Sequence, residues 1–131
     1  MSPELKYLLF SVLLCFAQVV VQASSAVLQI GLAPLAGNRE GVGAATGFAG
    51  RAKRAHLNMV ENLVLFASLV LIAVVAQKTT PLTAMGAMVF FWGRVAHALL
   101  YWLGVPWVRA LAWAISVAGM GMIAVSLLQS L

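Results

Sequence analysis

Four stretches of this chain are each long and apolar enough to cross a bilayer, and nothing else in the sequence constrains the fold as strongly. A helix rises about 1.5 Å per residue, so the hydrocarbon core calls for about 20 apolar residues. The stretches run over about 5–30, 51–76, 81–103 and 106–128, and they take up most of the 131 residues. The expected architecture is an all-α membrane protein, one domain over 1–131 built from four transmembrane helices. Composition agrees. Hydrophobic residues make up 63% and charged residues 8%, against about a quarter charged in a soluble globule. Such a chain cannot coat a water-facing surface, which excludes a soluble enzyme, a disordered tail and a nucleic-acid-binding domain. The net charge of +5 comes from only eight Lys+Arg against three Asp+Glu, with no basic stripe to track phosphates. Cys15 is the only cysteine, so there is no internal disulfide and no cysteine-based zinc site. His56 and His97 are too few to build a metal site.

The connections are short except for the glycine-rich stretch from Gly31 to Gly50, which also holds Pro34, Asn38 and Thr46. Thr80-Pro81 and Gly104-Val105-Pro106 are tight turns with proline at a helix start. Spans two and three, and three and four, are therefore antiparallel neighbours. Val21-Gln22-Ala23 resembles a signal-peptide cleavage site. Glu4 beside Lys6 and the apolar run through Ile30 argue that the first span is retained, which an intact mass decides. Arg39, Arg51, Lys53, Arg54 and Arg109 flank the first and third loops, against Lys6 and Lys78 on the other side. The positive-inside rule places those two loops in the cytoplasm.

Ionisable residues inside a span are costly and mark function by default. Arg51, Arg54, Asn58 and Glu61 follow one another at spacings of three, four and three, which is one helix face. Arg94, His97 and Tyr101 line one face of the third span in the same way, and Arg109 stands at the start of the fourth. Counting from the helix ends puts Glu61 and Arg94 about 15 Å deep, Asn58 and His97 about 10 Å, and Arg54 and Tyr101 about 5 Å. Glu61 is thus expected opposite Arg94, as a ligand contact or a structural ion pair. A polar ladder of this kind suits a small anionic ligand entering from the loop side. Each residue also has a plainer role available: Arg51, Lys53, Arg54 and Arg39 as topology signals, Asn58 as interhelical glue, His97 as packing, Trp102 and Trp107 as an aromatic belt.

The run Arg51-Ala-Lys-Arg54-Ala-His56-Leu-Asn58-Met-Val-Glu61-Asn62, followed by Phe66, resembles the second-helix signature of the MAPEG family, membrane-associated proteins in eicosanoid and glutathione metabolism. Gly93-Arg94-Val-Ala-His97-Ala-Leu-Leu-Tyr101, then Arg109, resembles its third-to-fourth-helix signature. The likeness covers about residues 31–115 and is to the bacterial branch. It implies a left-handed four-helix bundle, a homotrimer, and glutathione as co-substrate between subunits. Arg51, Arg54, Asn58 and Glu61 would hold the tripeptide's charged ends, with Glu61 on the free amine. Arg94, His97 and Tyr101 would form the adjacent wall, and Arg109 would stabilise the thiolate. The implied activity is membrane-bound glutathione transfer to, or peroxide reduction of, a lipophilic substrate, with a bacterial inner membrane as location. Three positions depart from the family pattern. Gln29 stands alone where eicosanoid-making members carry a basic cluster, Leu57 replaces an arginine, and Trp113 replaces a tyrosine. Each removes a polar contact to the tripeptide, and the missing basic residues of the first helix favour the alternative of a non-catalytic lipid-binding or scaffold protein. A transporter is a weaker alternative, because no span is broken and no inverted repeat is present.

Overall fold

The computed structural model describes residues 1–131. Five helices follow in order: α1 (Pro3–Ile30), α2 (Leu32–Ala36), α3 (Gly47–Val75), α4 (Pro81–Leu103) and α5 (Pro106–Leu128). All but α2 are long and apolar enough to span a membrane. They run alternately up and down. One end of the bundle, the loop end, gathers the C-termini of α1 and α4 with the N-termini of α3 and α5.

Local chemistry sets the boundaries. Ser2 caps α1, its Oγ accepting from the Leu5 amide at 3.4 Å, and Pro3 occupies the first turn. Thr80 and Thr83 form a reciprocal capping box at the start of α4. That helix ends at Gly104, whose φ of 77° is the left-handed conformation that closes a helix C-terminus. α3 begins four residues before Arg51, at Gly47. The cause is Gln29. Its carboxamide accepts from the Thr46 amide at 2.9 Å and donates to the Thr46 carbonyl at 2.9 Å, which fixes the entry to α3 where no side chain of its own caps it. The short helix α2, inside the glycine-rich connection, carries no signal that the sequence analysis used.

The buried seam of α3 reads Ala52, Ala55, Met59, Asn62, Phe66, Val70, Ala73, in steps of three and four that keep one helix face inward. Phe66 stacks on Phe90 with ring centroids 3.9 Å apart, and Val70, Ala87, Met120 and Ile123 complete the apolar core. That core fills the half of the bundle away from the loop end. Only 27 of the 131 residues are buried, and Leu, Val and Trp side chains dominate the outside. Lipid is the solvent that such a surface fits. Burial of grease therefore cannot drive helix against helix, and close packing takes its place.

The tightest packing is between α4 and α5. A Cβ on Gly86 would lie 2.6 Å from the Gly119 carbonyl oxygen, one on Gly119 would lie 2.6 Å from the Phe90 amide, and one on Gly93 would meet Ser116 at 2.9 Å. These are backbone-to-backbone contacts that only glycine permits. α1 packs on α3 and α4 but does not touch α5. At the end opposite the loop, Thr83 donates to Glu4 at 2.6 Å, and Thr80 and Ser126 share a hydrogen bond of 2.8 Å, tying α1 and α5 to α4.

Gly119→Ala is expected to destabilise the bundle by about 1–3 kcal/mol through overpacking. Gly121→Ala, where an added Cβ meets nothing within 4 Å, should melt at or slightly above wild type. Thermal unfolding of both variants in mild detergent checks this; equal losses would contradict the close approach at Gly119.

Candidate functional site

Towards the loop end the interior turns polar. Arg94 is the largest fully buried side chain in the molecule, 1% exposed. One of its terminal nitrogens, Nη2, donates to Asn58 Oδ1 at 2.8 Å and lies 3.3 Å from His97 Nδ1. Because arginine only donates, Nδ1 is the acceptor, which leaves the imidazole proton on Nε2. Asn62 supports Asn58 from the next turn, donating to its backbone carbonyl at 2.8 Å. Arg94 Nε and Nη1, both buried, have no partner.

One turn nearer the loop end, Tyr101 lies between two arginines. The Arg109 guanidinium carbon is 4.1 Å from the ring centroid and that of Arg54 is 6.0 Å away, both within cation–π range. The His97 ring meets the same tyrosine edge-on at 5.4 Å. Arg51 donates to the Trp102 carbonyl at 3.4 Å and lies against Gly104. Arg54, Asn58, Arg94, His97, Tyr101 and Arg109 thus form one connected cluster drawn from α3, α4 and the start of α5, with Arg51 beside it on Trp102 and Gly104.

Glu61 departs from the expected ladder. The ion pair with Arg94 is absent: Arg94 is held by the neutral Asn58 and His97, and its remaining nitrogens bond to nothing. The backbone levels are not the cause, since Arg51 beside Gly104 leaves position 61 about level with position 94. Rotation is. The residues of α3 that face the bundle are 52, 55, 59, 62 and 66, so the 51–54–58–61 face is turned about 100° from that seam. Arg51 and Asn58 are half-buried, while Arg54 and Glu61 are exposed on the flank of the protomer. The long Arg94 side chain reaches a turn along α4 to meet Asn58 instead.

Sequence reasoning missed the polar seam of α1. Glu4 and Gln18 are 2% and 1% exposed, and Ser11 between them is fully buried. With Ser25 they recur every seven residues, which is the signal that could have revealed them. The Glu4–Thr83 contact sets α1 parallel to α4 with an offset of 79, which brings Gln18 level with His97. Its buried Oε1 has no partner. His56 Nδ1, Arg51 Nε and Trp102 Nε1 are also buried and unpartnered in this half. Leaving so many buried polar atoms unpartnered in one region is costly. No group of His, Cys, Asp and Glu side chains could hold a metal.

Four membrane-length helices, a glycine-packed pair and a polar, cationic cluster around the buried Arg94 define an integral multi-pass membrane protein. Residues 7–129 match the MAPEG family, and the chain belongs to that family. No curated protein matches the chain.

With Asn58 as the partner of Arg94, Asn58→Ala should destabilise the protein by about 1.5–3 kcal/mol, the range for a hydrogen bond to a charged group. Glu61→Ala and Glu61→Gln should melt alike and near wild type. A larger loss at Glu61→Ala than at Asn58→Ala would restore the ion pair.

Proposed function

We propose that the protein is a membrane-bound glutathione transferase or peroxidase acting on lipophilic electrophiles. Membership of the family supports a glutathione transferase-like role in general terms. The observation that carries the specific reading is the buried Arg94, with two donors unspent, in the same half of the bundle as Arg54 and Arg109 on Tyr101 and Arg51 beside Gly104. A tripeptide with two carboxylates and a thiol is the kind of anion such a group of cations attracts. Arg51 and Arg54 bind its carboxylates, Asn58 and His97 position its amides against Arg94, and Glu61, free on the protomer's flank, takes its ammonium group. Tyr101 holds Arg109 in place.

Arg109 supplies the chemical step. A fixed guanidinium beside a thiol favours the thiolate, and the thiolate is the nucleophile. With a chloronitroarene, the sulfur–carbon bond forms at the ring carbon bearing chlorine, and chloride leaves with the electron pair. With a lipid hydroperoxide, two thiols are oxidised to a disulfide while the peroxide is reduced to alcohol and water.

The half-exposed 51–54–58–61 face supports a site shared with a neighbouring subunit. The proposed assembly is a homotrimer, each protomer one four-helix domain over 1–131. The proposed setting is a bacterial inner membrane with the first and third loops cytoplasmic. A second reading, lipid binding without catalysis, is favoured by one observation. Gln29, which stands where the eicosanoid-making relatives have basic residues, is uncharged and holds Thr46 with both ends of its carboxamide.

Purified wild-type protein should bind glutathione saturably and conjugate chlorodinitrobenzene. Arg109→Ala should lose about 100-fold in turnover, the usual cost of removing one charge-stabilising donor. Its pH–rate inflection should move up towards the ordinary thiol value of about 8.5. Tyr101→Phe, which keeps the ring face under Arg109, should retain most of the activity. Equal rates in wild type and Arg109→Ala would end the thiolate mechanism. Retained lipid without thiol chemistry would select the second reading.

A further inference from the structure

Two adjoining cavities lie where α1, the short helix α2 and the start of α3 meet, and none of the residues of the arginine–tyrosine cluster lines them. Their volumes are about 340 and 300 Å³, and they share Gln22, Ala26, Leu35 and Arg39. The first is walled by apolar groups of α1 and α2, among them Ala23, Val27 and Leu32. The second opens past Val42 to Lys53. No carboxylate lines either one.

The two cations are placed differently from the others in the chain. Arg39 has a φ of 62°, in the left-handed region that a side chain rarely adopts. Its Nε donates to the Leu35 carbonyl at 2.8 Å, which anchors the guanidinium to the end of α2 and leaves the two terminal nitrogens for another acceptor. Lys53 comes from the first turns of α3, and both side chains are exposed. The apolar walls occupy the last two turns of a membrane-spanning helix, reaching about 10 Å below its end at Ile30. Grease at acyl depth under a pair of cations at the level of the loops matches an anionic amphiphile in both respects.

We propose that this groove is a binding site for an anionic glycerophospholipid. Its phosphate sits between Arg39 and Lys53, and one acyl chain lies along Ala23, Val27 and Leu32. Arginine suits the phosphate because its planar fork donates two parallel hydrogen bonds, and lysine adds a point charge. Gln22, on the wall common to both cavities, offers the glycerol backbone a hydrogen bond. The site is independent of the thiol chemistry and stands whether or not glutathione is used.

The test uses the full chain reconstituted in nanodiscs of equal phosphatidylglycerol and phosphatidylcholine, then released and weighed by native mass spectrometry. Wild type should retain phosphatidylglycerol at least about 10-fold over phosphatidylcholine, which corresponds to about 1.4 kcal/mol. The double variant Arg39→Gln, Lys53→Gln should lose that preference while melting temperature and chlorodinitrobenzene turnover stay unchanged. Ala23→Trp, which fills the apolar wall and keeps both charges, should also lose the lipid. Three results would overturn the proposal. One is equal retention of the two lipids. Another is protection of wild type against heating by inorganic phosphate as strong as by phosphatidylglycerol, which makes the site one for a free anion. The last is a changed oligomeric state in the double variant with lipid retention unaltered, which makes the groove a contact between copies.

Discussion

A guanidinium enclosed by four membrane helices has to be hydrogen-bonded or it cannot stay there, and Arg94 is enclosed almost completely. The protein meets that demand only in part, and with neutral partners. Asn58 and His97 accept from one nitrogen, and no carboxylate neutralises the charge. An Asp in place of Asn58 would have cancelled the field of Arg94 within the protomer. An amide satisfies the geometry and leaves the charge in force. Arg51, Arg54 and Arg109 lie in the same half of the bundle, so their potentials add. The charge of the cluster is left without a counterion inside the protomer, which is what the proposed anionic ligand requires.

That arrangement depends on a division of the bundle into two halves. Away from the loop end, the Phe66–Phe90 stack and the Ile123 layer form an ordinary apolar core. Next to it, Gly86, Gly93 and Gly119 bring the backbones of α4 and α5 into contact. The pair behaves as one rigid ribbon, so the side chains of α4 keep their heading. Arg94 and His97 follow directly on Phe90 and Gly93 along α4. Their positions are set by the packing beneath them.

The spans could be read from the sequence because bilayer thickness dictates their length, whatever the neighbours are. The polar residues stood out because ionisable groups are so rare in hydrocarbon. What spacing could not supply was rotational phase. Counting along α3 and α4 puts Glu61 and Arg94 at one level, but which side of α3 faces α4 is decided by the Ala52–Ala55–Met59–Asn62 seam, and that places Asn58 within reach and turns Glu61 outward. Glu4, Ser11 and Gln18 were hidden for a different reason. Each sits alone in a long apolar run, and only a seven-residue repeat joins them. Gln29 was legible as polar but not as a cap, because its partner Thr46 lies across a connection whose path no periodicity encodes.

Arg109 shows why the site relies on an aromatic ring where an acid would have been a stronger anchor. A carboxylate would fix the guanidinium by occupying its N–H donors, which are the groups that the proposed thiolate needs. The face of Tyr101, 4.1 Å from the guanidinium carbon, holds the cation through the ring quadrupole and asks for none of its hydrogen bonds. The His97 ring braces Tyr101 from the edge, and His97 in turn accepts from Arg94. Position therefore passes from the rigid middle of α4 to a shallow cation on α5 without any step that consumes the cation's charge. A positioned but unspent arginine is the property that the proposed thiolate stabilisation would demand.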